Sequence, residues 1–272
     1  MLAATAAQAR VIDADGTATT ILEAGDGPPL LLLHGGIESG AAVWAPVLDR
    51  LAAAHRVVAP DLPGLGASPP MASLDPSTFE SWLRATLQAV GMDRPTVVAH
   101  SLGGSLAARF AADAPDAIAG LVVYGAPGVA RYRMPPRLMY SAIRFSLRPT
   151  AKNAERFDRF LLHDLDATRA IHAGWYEAFD EYNRAQARVP HVKKTMNRLV
   201  SIGTKQVPDA DLDRIRCPVH LVWGRHDRMV PLGIARAAEE RHGWPLHVID
   251  EAAHAPHLEQ PDAFLATVGE IL

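Results

Sequence analysis

The hydrophobic positions of this 272-residue chain fall into short unbroken runs separated by longer amphipathic stretches. Leu30-Leu31-Leu32-Leu33 and Leu121-Val122-Val123 carry no polar alternation. A strand buried on both faces reads that way, whereas a strand with one wet face alternates. Seven strands are expected: Thr17–Leu22, Leu30–His34, Arg56–Pro60, Thr96–His100, Leu121–Tyr124, Val219–Trp223 and Leu246–Ile249. Spacing predicts helices near Trp44–Ala53, Thr78–Val90, Leu102–Asp113, Gly233–Arg241 and Asp262–Ile271. Ser77-Thr78-Phe79-Glu80 fits a capping box, and Pro261 suits a first helical turn. Strands alternating with helices point to an α/β protein with a mostly parallel sheet.

The alternation stops at Val129 and resumes after Pro208. Within that stretch, Ala167–Arg188 places Ile171, Trp175, Phe179 and Tyr182 at helical spacing, as the buried face of one helix and candidates for the roof of a pocket. Residues 129–208 hold 15 Lys and Arg against 7 Asp and Glu, while the rest of the chain holds 12 against 23. The expected organisation is a core from residues 1–128 and 209–272, with a helical cap of residues 129–208 on the loop edge of the sheet. Arg outnumbers Lys 23 to 4 throughout, so the basic cap reads first as a solvated surface.

Composition excludes several classes. Hydrophobic residues are 49% and charged residues 21%, which suits a globule and not a disordered chain. The net charge of −3 gives no whole-molecule basic field for nucleic acid. A single cysteine, Cys217, excludes an intrachain disulfide and a cysteine-based zinc cluster. No apolar run approaches the ~18 residues of a membrane span. The first ten residues lack a basic segment followed by an apolar one, and read as a frayed N-terminus of a cytoplasmic protein. The twelve histidines include no His-Glu-x-x-His and no close carboxylate–histidine set, so no metal or other cofactor is expected.

The candidate chemistry centres on Pro95-Thr96-Val97-Val98-Ala99-His100-Ser101-Leu102-Gly103-Gly104. A strand ends, a serine follows and a helix starts at once. Such a turn thrusts the serine out of the sheet and demands small residues two before and two after it, here Ala99 and Gly103. The helix start offers free backbone N–H groups to developing negative charge. A serine hydroxyl needs a base, and the base an orienting acid. Two later strand–loop units carry an acid, in Trp223-Gly224-Arg225-His226-Asp227, and a histidine, in Asp250-Glu251-Ala252-Ala253-His254. A second oxyanion donor is expected from the glycine-rich loop His34-Gly35-Gly36-Ile37-Glu38-Ser39-Gly40.

Five stretches in order resemble the α/β-hydrolase superfamily: His34-Gly35-Gly36 with Trp44 following, Asp61-Leu62-Pro63-Gly64-Leu65-Gly66-Ala67-Ser68, the Ser101 turn, Trp223 to Asp227, and His254-Ala255-Pro256-His257-Leu258-Glu259-Gln260-Pro261. The resemblance covers nearly the whole chain. It implies an eight-stranded, mostly parallel sheet flanked by helices, with the inserted helical segment as a lid. It implies Ser101 as nucleophile, His254 as base and Asp227 as acid, with Leu102 N–H and Gly36 N–H as oxyanion donors and Ile37 N–H competing with Gly36. The family pattern selects His254 over His257, which is expected to pack on the helix beneath. His34 and His100 flank the site as hydrogen-bonding histidines and are candidates for the pocket wall. The activity expected is hydrolysis of a small to medium carboxylic ester or lactone through an acyl-enzyme, on a small-molecule substrate, with no nucleic-acid or membrane partner. Carbon–carbon bond hydrolases of ring-cleavage products and thioesterases share the machinery. The former more often carry Asn and Trp where this chain has His100 and Ala255. A slow-turnover ligand sensor is the reading of another class.

Overall fold

The computed structural model describes residues 5–272. Its strands are β1 (Gln8–Ala14), β2 (Thr17–Ala24), β3 (Pro29–Leu33), β4 (Arg56–Pro60), β5 (Thr96–His100), β6 (Gly120–Tyr124), β7 (Val219–Gly224) and β8 (Leu246–Ile249). Its α-helices are α1 (Ala45–Ala52), α2 (Pro76–Ala89), α3 (Ser101–Asp113), α4 (Pro136–Leu147), α5 (Ala151–Leu161), α6 (Leu165–Ile171), α7 (Trp175–Gln186), α8 (Pro190–Gly203), α9 (Asp209–Leu212), α10 (Leu232–His242), α11 (Pro256–Glu259) and α12 (Pro261–Ile271). The eight strands form one sheet in the order β1-β2-β4-β3-β5-β6-β7-β8. The β1–β2 and β2–β4 pairs are antiparallel and every other pair is parallel.

The unbroken apolar runs are explained by two cores, one on each face. Leu31, Leu33, Val97, Val123 and Trp223 pack with Phe79 and Trp82 of α2 and Leu106 and Phe110 of α3. The alternate residues Leu30, Leu32, Val98, Val122 and Val222 pack with Val47 and Leu48 of α1 and Phe264 and Val268 of α12. Burying one such side chain contributes roughly 1.5–3 kcal/mol, so a central strand needs apolar residues at every position. β3 is followed by β4 on one side and β5 on the other. A reversal of that kind opens a crevice at the carboxyl ends of the two strands, where open α/β sheets bind ligands. The Gly35–Gly36 loop and Ser101 stand at those ends.

Three expectations are corrected. Gln8–Ala14 is not frayed: it pairs with β2 over seven residues, from Gln8 with Glu23 to Ala14 with Thr17. Only Ile12 and Ala14 are buried in it, so this edge strand has too polar a pattern to stand out. Residues 1–4 of the expected frayed start lie outside the described residues. The capping box at α2 begins at Asp75, not Ser77: the Asp75 carboxylate accepts from Thr78 N–H and Asp75 N–H donates to Thr78 Oγ1. Ser77 sits in the first turn, where its hydroxyl donates to Asp75. The single helix expected over Ala167–Arg188 is two, α6 and α7, broken where Gly174 takes φ 79°. The break turns Ile171 outward, leaving it 51% exposed. Residues 129–208 otherwise hold α4 to α8 and no strand, as expected.

Candidate active site

Ser101 opens α3 directly after β5 with φ 52°, a left-handed backbone uncommon for a side-chain-bearing residue and here imposed by its surroundings. The imposition is visible in the neighbours. A Cβ on Gly103 would overlap the His34 carbonyl oxygen, and one on Gly104 would lie 3.0 Å from the Ala99 carbonyl oxygen. A Cβ on Gly35 would stand 2.8 Å from Ser101 Cβ. The glycines let β5, α3 and the loop after β3 converge on the serine.

His254 Nε2 lies 2.9 Å from Ser101 Oγ, and His254 Nδ1 lies 2.8 Å from Asp227 Oδ2. All three residues are buried. An ionised carboxylate only accepts, so Nδ1 carries the proton and Nε2 is free to accept from the serine hydroxyl. Asp227 Oδ1 accepts from Met229 N–H and Val230 N–H, each at 2.8 Å, which holds the carboxylate toward the imidazole. The ion-pair role that could have occupied Asp227 is filled elsewhere. Arg225 pairs with Asp250, and Arg228 donates to the Leu162 and Arg159 carbonyls. A hydroxyl, an imidazole and a carboxylate in series can pass a proton from the hydroxyl to the ring while the carboxylate stabilises the resulting cation.

The donors for an oxyanion are also distinguished by geometry. Leu102 N–H belongs to the first turn of α3, whose amides have no intrahelical acceptor. Ile37 N–H is engaged by the Gly35 carbonyl at 3.0 Å. Gly36 N–H has no acceptor among the described residues, which leaves it free where Ile37 N–H is engaged.

The remaining histidines separate cleanly. His34 Nε2 accepts from Leu62 N–H at 2.9 Å and Nδ1 lies 2.7 Å from the Gly35 carbonyl, so the ring braces two loops. Burial holds its pKa down at about 4. His100 donates from Nε2 to the His254 carbonyl at 2.9 Å and stacks on Tyr124 at 4.5 Å. Burial, together with the neighbouring His254, keeps it well below the usual imidazole range. His257 meets the Tyr124 hydroxyl at 3.1 Å and packs 5.9 Å from Phe264 of α12, as expected.

Glu259, quoted in the sequence motif but given no role there, accepts from Ala253 N–H at 2.9 Å and Ala255 N–H at 3.0 Å, the amides on either side of His254. It also accepts from His163 N–H. Asp61 acts similarly, accepting from Ala41 N–H and Ala67 N–H, and so ties the Gly36–Gly40 loop to the Gly64–Ser68 turn. Burial raises the Asp61 pKa to about 6.

Above Ser101 lies a cavity of about 800 Å³, counting its open mouth. Of the residues singled out for a pocket wall, His100 and Phe179 line it and His34, Trp175 and Tyr182 do not. Trp175 stacks behind Phe179 at 4.6 Å, and the Tyr182 hydroxyl reaches the Gly66 carbonyl at 3.4 Å. The sequence reading missed Glu38, Asp158, Tyr176, Asp180 and Asn183 on the cavity wall. The helix break at Gly174 changed the phase, so Tyr176 and not Ile171 faces inward. Burial raises the pKa of Glu38 to about 7, with the nearby Asp158 charge adding, and raises Asp158 to about 7, with Asp180 adding. A second, apolar groove, about 1220 Å³ when its open mouth is counted in the same way, shares Gly36, Glu38, Phe145 and Phe157 with this cavity and runs along Met139, Val192 and Met196.

Among the described residues the fold assembles a carboxylate–histidine set that sequence spacing concealed. His163, His226 and Glu251 bring ligand atoms within 4.8 Å of one another. His163 Nε2 lies 3.3 Å from Glu251 Oε2, and the two rings stack at 4.2 Å. Glu251 is 71% exposed, so the grouping lies at the surface.

Among the described residues no helix is long and apolar enough to cross a membrane. The chain is 29% identical over 278 residues to the 2-hydroxy-6-oxo-2,4-heptadienoate hydrolase of Pseudomonas putida, covering 97% of this chain and 95% of that protein. It is also 29% identical to the pimeloyl-[acyl-carrier protein] methyl ester esterase of Chromobacterium violaceum, covering 91% of this chain and 95% of that one. The 2-hydroxy-6-oxo-6-phenylhexa-2,4-dienoate hydrolase of Rhodococcus sp. strain RHA1 superposes with a TM-score of 0.85 at 25% identity, over 97% of this chain and 98% of that chain. The model of the alpha/beta hydrolase family matches residues 30–267. The elbow, the hydrogen-bonded series behind it and a match of that extent lead to one conclusion: the chain belongs to the alpha/beta hydrolase family and is a hydrolase of that fold.

Proposed function

We propose that the protein hydrolyses a carboxylic ester or lactone of small to medium size through an acyl-enzyme on Ser101. The observation that carries this is the unbroken series Asp227–His254–Ser101 at 2.8 and 2.9 Å on the floor of a cavity. Ser101 Oγ attacks the ester carbonyl while His254 Nε2 takes its proton. Asp227 holds the imidazole tautomer and stabilises the imidazolium. Leu102 N–H and Gly36 N–H receive the oxyanion. The C–O bond to the alcohol breaks as His254 returns the proton to the leaving oxygen. A water then attacks the acyl-enzyme with His254 as base, releasing the acid and restoring Ser101. Residues 129–208 serve as a lid joined to the core at the reacting histidine, since His254 N–H donates to the Leu161 carbonyl at 3.1 Å. The apolar groove from Gly36 suits an acyl chain of medium length. The reading requires no cofactor and keeps a small-molecule substrate in the cytoplasm.

The test is initial-rate hydrolysis of p-nitrophenyl esters of increasing acyl length by the intact protein and by Ser101→Ala. The substitution is expected to reduce kcat by a factor on the order of 10⁶. Ester turnover that survives it would remove Ser101 from the mechanism.

A second reading, carbon–carbon bond hydrolysis, is favoured by the similarity to the two dienoate hydrolases. Rapid cleavage of a vinylogous diketone without ester turnover would put it first.

A further inference from the structure

The cavity over Ser101 carries a charge pattern that the ester reading alone leaves unexplained. Three carboxyls line it, Glu38 from the loop after β3, Asp158 from α5 and Asp180 from α7. Among the described residues no lysine or arginine lines it. Asp180 pairs with Arg184 on its own helix at 2.9 Å. Asp158 accepts from the Tyr176 hydroxyl at 3.0 Å. No salt-bridge partner holds Glu38 among the described residues.

An independent feature lies on the same wall. Asn183 is 8% exposed, and its Oδ1 has no hydrogen-bond partner. Buried polar groups are rarely left bare, and the Asn183 amide can turn to present either its oxygen or its N–H₂ to what enters. A group with several N–H donors and a positive charge satisfies the turned amide oxygen and the carboxylates together. A carboxylate-bearing ligand would meet three acids. The dienoates named for the similar hydrolases are such anions.

We infer that this cavity selects substrates with an ammonium-bearing arm, whose N–H groups meet Glu38, Asp158 and Asn183 while the ester carbonyl lies at Ser101. The inference rests on the ester reading and adds the charge of the substrate to it.

The charges facing these carboxyls set how selection varies with pH. Glu38 faces Asp158; Asp158 faces Tyr176, Asp180, Arg169 and Glu155. His100, His254 and His257 line the same cavity. A cation binds the ionised carboxyls, so selection strengthens as pH rises through about 7.

The experiment titrates three p-nitroanilides of near-equal length into Ser101→Ala by calorimetry: heptanoyl, ε-aminocaproyl and adipoyl. The first two are isosteric, a methyl standing in place of an ammonium. The ε-aminocaproyl compound is expected to bind about tenfold tighter than the heptanoyl, and the adipoyl about tenfold more weakly. The ε-aminocaproyl-to-heptanoyl preference should shrink toward unity in Asp158→Asn and Glu38→Gln made in the same background. If those variants do not fold, the same preference measured from about pH 6 to about pH 8 replaces them, and it should grow with pH. Equal binding of the isosteric pair, tightest binding of the adipoyl compound, no binding of any, or a preference that falls with pH overturns the inference. Wild-type turnover of the matching p-nitrophenyl esters separates the two ideas. Preferred ammonium binding with no ester turnover discards the ester reading and leaves the charge selection standing. Turnover of the heptanoyl ester without ammonium preference does the reverse.

Discussion

The floor and the roof of the cavity are built under different constraints. On the floor, backbone meets backbone. A Cβ on Gly103 would overlap the His34 carbonyl oxygen, and one on Gly224 would overlap the Ala252 and Ala253 carbonyl oxygens. Ser101 is held at φ 52°, and Glu259 secures the amides on both sides of His254. On the roof, side chains meet space. Phe145 and Phe157 stack at 5.9 Å, Trp175 and Phe179 at 4.6 Å, and Met139, Ile143 and Leu147 of α4 remain about half exposed or more. Reaction geometry tolerates little displacement, so it resides where the chain has least freedom. Selectivity resides where a side chain can change without moving the backbone.

The contrast can be broken most directly through Asp227. Asp227→Asn keeps a carbonyl oxygen for the Met229 and Val230 amides but loses the acceptor that fixes the His254 tautomer. It is expected to lower kcat by on the order of 10⁴ while the melting temperature changes little. A loss below tenfold would mean that the floor does not depend on this series.

Glu259→Gln tests whether the floor is held from behind. The amide brings one N–H₂ to a place where three backbone N–H groups need acceptors. A destabilisation of roughly 1–3 kcal/mol is expected in denaturant titrations, with a fall in kcat as His254 loosens. Unchanged kcat alongside lost stability would make Glu259 a folding residue only.

On the roof the expected effect is one that varies with pH. The folded-state pKa of Asp158 is raised to about 7 from an ordinary 3.8, so in the window between them the folded protein holds a proton that the unfolded chain has released. This contribution is therefore most favourable below about 4 and declines as pH rises to about 7. Asp158→Asn removes the decline, so its melting temperature relative to wild type should climb across that window. A difference independent of pH would show that Asp158 is not buried in its ionised form.

The reach of the sequence followed the same division. The central strands were legible because two-sided burial forces apolar residues at consecutive positions, as in Leu30 to Leu33. The turn at Ser101 was legible because steric crowding leaves few residues that fit at Ala99 and Gly103. β1 was not, since an edge strand with two buried residues carries almost no pattern. The α2 cap was misplaced by two residues because Asp75, Ser77 and Thr78 all offer capping oxygens, and only the backbone decides among them.

The sequence by itself determined the central strands of the sheet, the order of the candidate loops and the residue types that could pass a proton along a series. Each is encoded locally, through burial, turn sterics and the small set of side chains able to act as nucleophile, base and acid. Tertiary structure alone decided which donor beside Gly35 stays free, since Ile37 N–H is spent on the Gly35 carbonyl. It decided that Tyr176, not Ile171, faces inward, because one left-handed glycine changed the helical phase. It also decided the charge of the cavity. Glu38, Asp158 and Asp180 are far apart along the chain and unremarkable there, and only the approach of a loop and two helices makes them neighbours that must share one poorly hydrated space.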